Sequence, residues 1–280
     1  MSEKKYELTD ETIEFEGHTL HRIRALTDIY CPYDEKGQDV KAGNIGGWIE
    51  KEDNLSHEGD CWVYDEAMVF GDAEVRDDSI VCDDAVVCDY AKVTNSSWVL
   101  GQAQIRDCAH IDDSLVTDHA RIYGSAEVVN DAHVSDCACV FGHAKVSDNA
   151  HVYDCAQVFG DAKVYGLLTV VSGTARVFDS AAVHSTARIS DSAMVFDSAV
   201  VSSGAEIFDS AMVFGSAKVY DCAKVFDRAV ICDHAKVHGN HARVFYWSRV
   251  FHRDDVTGIR ADIMPDGEDI EQVSEDSSDT

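Results

Sequence analysis

Two prolines in 280 residues, an absence of sustained apolar spacing at three and four residues, and a scarcity of basic charge are the first features of this chain. Without that spacing there is no amphipathic helix to build on, which leaves strands and turns. No apolar run approaches the ~18 residues of a membrane-spanning helix. The N-terminus, Met-Ser-Glu-Lys-Lys, lacks the apolar core of a signal peptide, so a cytoplasmic protein with no membrane partner is expected. Lys+Arg number 23 against 52 for Asp+Glu, a net charge of −29, which argues against direct binding of nucleic acid. Of the 10 cysteines, Cys61, Cys82, Cys88, Cys108, Cys137, Cys139, Cys155, Cys222 and Cys232 lie scattered with no paired CxxC spacing. They are read as free thiols of a reducing compartment and not as a disulfide framework.

What the chain does have is one short motif, repeated. From Val63 to Val250, Ala-x-Val recurs 32 times, nearly always six residues apart, with Val in 26 copies and Ile in the other six. The small position is Ala in 26 copies; Cys61, Ser79, Ser97, Ser114, Leu168 and Ser248 are the exceptions. A period of six is neither helical nor a long alternating strand, but a short strand followed by a corner. In the strand the small residue and the aliphatic one point the same way, inward. The corner opens with Asp, Asn or Gly in 27 of 32 copies, the residues that tolerate a left-handed backbone conformation, and 17 of these are Asp. Much of the acidity is therefore turn chemistry.

Three hexads close a triangular coil of 18 residues, which gives about ten coils stacked at ~4.8 Å in a prism roughly 50 Å long. The expected fold is all-β, a single-stranded parallel β-helix over 61–252. Residues 1–60 are read as a cap whose β-hairpin turns at Glu16-Gly17, and 253–280 as an acidic, largely disordered tail.

The pairs Val63/Ala67 and Val69/Ala73, an aliphatic residue followed four positions later by a small one, resemble the hexapeptide-repeat left-handed β-helix superfamily. The left hand is implied by that resemblance alone, since the usual crossover rule points the other way. Val40-Lys-Ala-Gly-Asn-Ile-Gly-Gly-Trp-Ile49 and Gly59-Asp-Cys-Trp-Val-Tyr-Asp-Glu66 look like the lead-in of YdcK-type acyltransferases, with a bacterial, phage or prophage source implied. The resemblance implies an enzyme using acyl-CoA and a histidine base between adjoining subunits.

Every third hexad shares a face. One outward column reads Tyr123, Phe141, Phe159, Phe178, Phe196 and Phe214, with Met194 and Met212 beside it. Such an apolar ladder is expected to be covered, and the preferred cover is a second copy in a homodimer or homotrimer. A second column begins Trp62, Ile80, Trp98, Leu115, where the cap is expected to lie, then turns polar at His133, His151 and Thr169. His133 and His151 are the candidates for a catalytic base, although no projecting loop or C-terminal helix offers to enclose a substrate. His234, His238 and His241 have metal-ligand spacing, but a solenoid sends them to separate corners. Asp65, Asp83, Asp118, Asp136, Asp154, Asp191, Asp209 and Asp227 line one edge, which could collect cations or mimic a nucleic-acid backbone. Three functions follow: a noncatalytic self-associating solenoid that binds a protein partner and needs no cofactor, which leads; an acyltransferase; and an acidic decoy for a nucleic-acid-binding enzyme, as in phage counter-defence.

Overall fold

The computed structural model describes residues 4–30 and 39–262. Among them there is no α-helix, only a single 3-10 turn at Glu52–Asn54. The chain is a parallel β-solenoid of short strands distributed over three sheets: sheet I with 14 strands, counting two antiparallel ones at its N-terminal end, sheet II with 12 and sheet III with 11. In-register pairs such as His133↔His151 and Val134↔Val152 place residues one coil apart directly above one another. The Val, Ile and Ala of the hexads are buried and form one continuous core from end to end. The small residue is required because three sides converge on a narrow axis, where Ala packs beside Val without a clash.

Parallel pairing runs past the repeat on both sides. Strand β3 (Ile45–Ile49) joins sheet I by pairing with Met68 and Val69, and Leu55 bridges to Val75 on sheet III. Asp255–Val256 and Ile259–Asp262 add final strands to sheets III and II. The stack therefore has about twelve turns where the repeat count predicts ten. Those outer turns lack the Ala-x-Val signature; Arg260 takes the register place that Val244 holds in the turn before. At β3 the motif gives way to Gly46 and Gly47 because there is no room for a side chain. A Cβ on Gly46 would stand 2.6 Å from the Val63 carbonyl, and one on Gly47 2.6 Å from that of Ala67.

The corners are built as the sequence predicts, with Asp65, Asp83, Asp118 and their counterparts at positive φ. In one place the register differs from the sequence reading, which takes Leu168 and Val170 as a hexad. Val171, not Val170, pairs with Val152 and Ile189, and Thr169 is the buried small residue, its hydroxyl donating to the Tyr165 carbonyl at 2.9 Å. The extra residue is absorbed in the corner Gly166-Leu167-Leu168, which swings both leucines outward at 62% and 55% exposure. Thr169 thus leaves the outward column, and Gly173 rather than Ser172 forms the following corner. On the edge leaving sheet III several corners hold two successive left-handed residues, among them Ser185 and Thr186, at φ 55 and 68. A β-branched residue pays most for that conformation. Thr186→Gly is expected to raise stability by about 1 kcal/mol, and a thermal melt no higher than the parent's would show that Thr186 is not strained.

The N-terminal cap is a hairpin of β1 (Tyr6–Phe15) and β2 (His18–Ala25), turning at Glu16 and Gly17 with φ of 48 and 87. Strand β2 pairs antiparallel with β3, so the hairpin continues sheet I. Its strands are several times longer than those of the solenoid, and the overhang folds down the outer face of that sheet. Phe15 and His18 pack on Phe70, and Leu20 joins Trp48, Phe70, Val86 and Cys88 in a buried cluster. This corrects the expected position of the cap over Trp62, Ile80 and Trp98. Of that column, Trp62 meets β1, edge-on to Tyr6 at 6.2 Å. The first coil is closed by Lys5, which is 6% exposed and donates to the carbonyls of Gly59 at 3.1 Å and Cys61 at 2.9 Å and to the Cys61 sulfur at 3.2 Å.

The hairpin tip is clasped by Arg106, which donates to both carboxylate oxygens of Glu16 at 2.9 and 3.0 Å. That hydrogen bonding, ahead of a smaller opposing effect of burial, holds the Glu16 carboxyl below its ordinary value. A depressed carboxylate contributes stability at pH above its unfolded value of about 4.3, and loses it as pH falls through the lower folded value. The tip is therefore expected to loosen below about pH 4. Binding of a hydrophobic dye to the Phe70 cluster should rise there, and Arg106→Gln should bring the same rise to neutral pH.

Candidate functional site

Beyond the hairpin, sheet I carries the aromatic ladder. Tyr123, Phe141, Phe159, Phe178, Phe196 and Phe214 stack with centroids 4.8 to 4.9 Å apart and planes within 9° of parallel. The spacing is that of the coils, so each ring is half-buried by stacking on its neighbours along the ladder. Met194, Met212 and Val230, the outward residues of successive strands on the same sheet, are also half-buried. A second stack, Phe208, Phe226 and Phe245, with centroids 4.9 and 5.0 Å apart, stands at the end of sheet II. The sequence reading missed it, although its spacing of 18 and 19 residues was the same signal.

His133 and His151 are brought together edge to face, centroids 5.5 Å apart. They line a shallow solvent-facing groove of about 300 Å³ on sheet II with Trp98, Leu115, Asp113 and Asp131. The Nε2 of His133 is buried without a hydrogen-bond partner. Burial, and next the neighbouring His151, press the His133 pKa below its ordinary value, which favours the neutral ring.

The three histidines of metal-ligand spacing are not brought together. His238 bonds the Asp255 carboxylate at 2.7 Å and stacks on Tyr220 at 4.7 Å. Among the described residues, only Asp65, Cys82 and Asp83 place three potential ligand atoms within 4.8 Å of one another.

The acidic edge has a structural task. Asp83 accepts the amide of Gly101 at 2.8 Å, Asp136 that of Asp154 at 3.1 Å, Asp154 that of Gly173 at 2.8 Å, and Asp209 that of Asp227 at 3.1 Å. Each carboxylate ties its corner to the corner of the following coil. Asp89, Asp107 and Asp197 do the same on another edge. Asn or Gly could form the corner but could not supply this charged acceptor, which accounts for the excess of Asp.

Stacked parallel strands, hexads of Ala and Val, and an antiparallel lead-in define a hexapeptide-repeat β-solenoid, and part of its repeat is similar to that of YdcK-like chains. A family model described as the YdcK β-solenoid repeat matches residues 187–203. Over 74 residues the chain is 34% identical to the uncharacterized acetyltransferase YdcK of Escherichia coli (strain K12). That match covers 24% of this chain and 20% of the relative, so the chain spans about a fifth of the length of the curated relative it matches.

Proposed function

We propose that this protein is a noncatalytic β-solenoid that self-associates through the aromatic ladder of sheet I and offers its other regular faces to a protein partner. The observation that carries this reading is the hairpin. The chain covers the first coils of sheet I with its own apolar residues, Phe15 and Leu20 on Phe70, and the same face from Tyr123 to Phe214 continues beyond the tip at Arg106. A second copy suits the remainder because the ladder repeats at one spacing and is therefore complementary to itself. Light scattering at micromolar concentration and physiological salt tests the reading. A monomeric mass there would sink it.

A second reading, acetyl transfer from acetyl-CoA, is favoured by the His133 groove and by the likeness to an uncharacterized acetyltransferase. The lowered pKa of His133 favours the neutral imidazole that a general base needs. Calorimetric titration with acetyl-CoA separates the two: saturable binding that His133→Ala abolishes supports transfer, and no heat supports the scaffold.

A further inference from the structure

The middle coils carry a group of thiols that neither the ladder nor the histidine groove uses. His119, Cys137 and Cys155 hold the same corner place in three consecutive coils. Their amides donate to the carbonyls of Asp136 at 2.8 Å, Asp154 at 2.7 Å and Gly173 at 2.8 Å. All three side chains are exposed, and both thiols are free. Cys139, half-buried on the adjoining sheet, turns its sulfur toward the Cys137 carbonyl at 3.7 Å. The repeat does not demand sulfur here, since Thr174, Ser192 and Ser210 fill the same corner in the next coils.

Two cysteines stacked in register have parallel Cα–Cβ bonds about 4.8 Å apart, the coil spacing. A disulfide needs its Cβ atoms at about 3.8 Å, so coil stacking holds the pair too wide for one. A bridging ion has no such difficulty: with Zn–S bonds of about 2.3 Å, a tetrahedral centre sets its sulfurs about 3.8 Å apart, within reach of small rotations of exposed side chains. Asp118, Asp136 and Asp154 immediately precede the three residues, and their charge draws cations to this corner.

We infer that Cys137 and Cys155, joined on side-chain rotation by Cys139 and His119, form a surface site for a thiophilic divalent cation of the zinc and cadmium class. Binding converts the thiols to thiolates, so the ion displaces protons. Affinity therefore rises with pH.

Cadmium titration of the full chain, in a buffer with a non-thiol reductant, tests the site. One ion per chain should bind with a thiolate-to-metal charge-transfer band, and more tightly as pH is raised. Cys137→Ser with Cys155→Ser should abolish the band and keep the fold, because serine already occupies this corner at Ser192 and Ser210. Cys108→Ser with Cys222→Ser, which removes two other exposed thiols, should leave it intact. An undiminished band in the first variant, or none in the parent protein, overturns the assignment. So does a parent protein that, after oxidation, yields peptides joined through a Cys137–Cys155 disulfide, since that would show the pair close enough to bond directly.

Discussion

Val158→Asp is expected to break the solenoid in its middle. Val158 is fully buried, between Val140 and Val177 in register on sheet I, with core residues of the other two sheets facing it. An aspartate there has no cation to meet and no water, and burying an unpaired carboxylate costs several kcal/mol or more. In a compact domain that cost is spread over many contacts. In a solenoid each coil is held only by the one before and the one after, so the penalty falls on two interfaces. Circular dichroism should show a lower and broader melt, and proteolysis should cut near the substituted coil. Val158→Ile should retain the parent melt within about 1.5 kcal/mol, as a change of one methylene. A Val158→Asp protein as stable as its parent would mean that the strand faces the other way.

Phe159→Lys with Phe196→Lys is expected to leave a folded monomer where the parent self-associates. Each ring is already half-buried by stacking, so covering its exposed edge contributes about half of the ~1.5–3 kcal/mol of full burial, and the six together would offset a moderate association cost. The charge of −29 opposes assembly, which should therefore tighten as salt screens it. Lysine also removes stacking within the ladder, and Phe226→Lys controls for that. Phe226 lies in the sheet II stack between Phe208 and Phe245, so its loss weakens stacking without touching the proposed interface. If Phe226→Lys dissociates the assembly as fully as the double variant, stability and not the face of sheet I decides the mass.

The architecture was legible because a six-residue period leaves few alternatives: Val and Ala must share a side, and Asp or Gly must turn the chain. The register failed only at Val170 and Val171, where two valines stand together and hydrophobicity cannot choose between them. Position was decided instead by where Leu167 and Leu168 could be left outside. The hairpin was read correctly as far as its turn, but its resting place depends on the pairing of β2 with β3, a contact between segments that no local pattern encodes. The Asp carboxylates were counted on one edge and their cause was missed, since a bond from one corner to the next becomes visible only when coils are stacked. His133 and His151 were placed together by register alone. The buried, unpartnered Nε2 of His133 depends on the side chains around its groove, which spacing does not convey.

The corner at Gly166-Leu167-Leu168 has a consequence for how chains of this kind can change in length. One surplus residue was taken up there without moving any later side chain to another face. Gain or loss of 18 residues would likewise leave every column intact and alter the prism by one storey of about 4.8 Å. Six added residues would be as easy to accommodate locally, yet they would turn everything downstream by a third of a revolution, so that the phenylalanines after the join would move to sheet III, whose outward column holds Lys145, Lys163, Lys218 and Lys236. Length in this protein is therefore quantised by its faces: single residues are free, whole storeys are free, and a lone hexad, the unit of the repeat itself, is the step that cannot be taken.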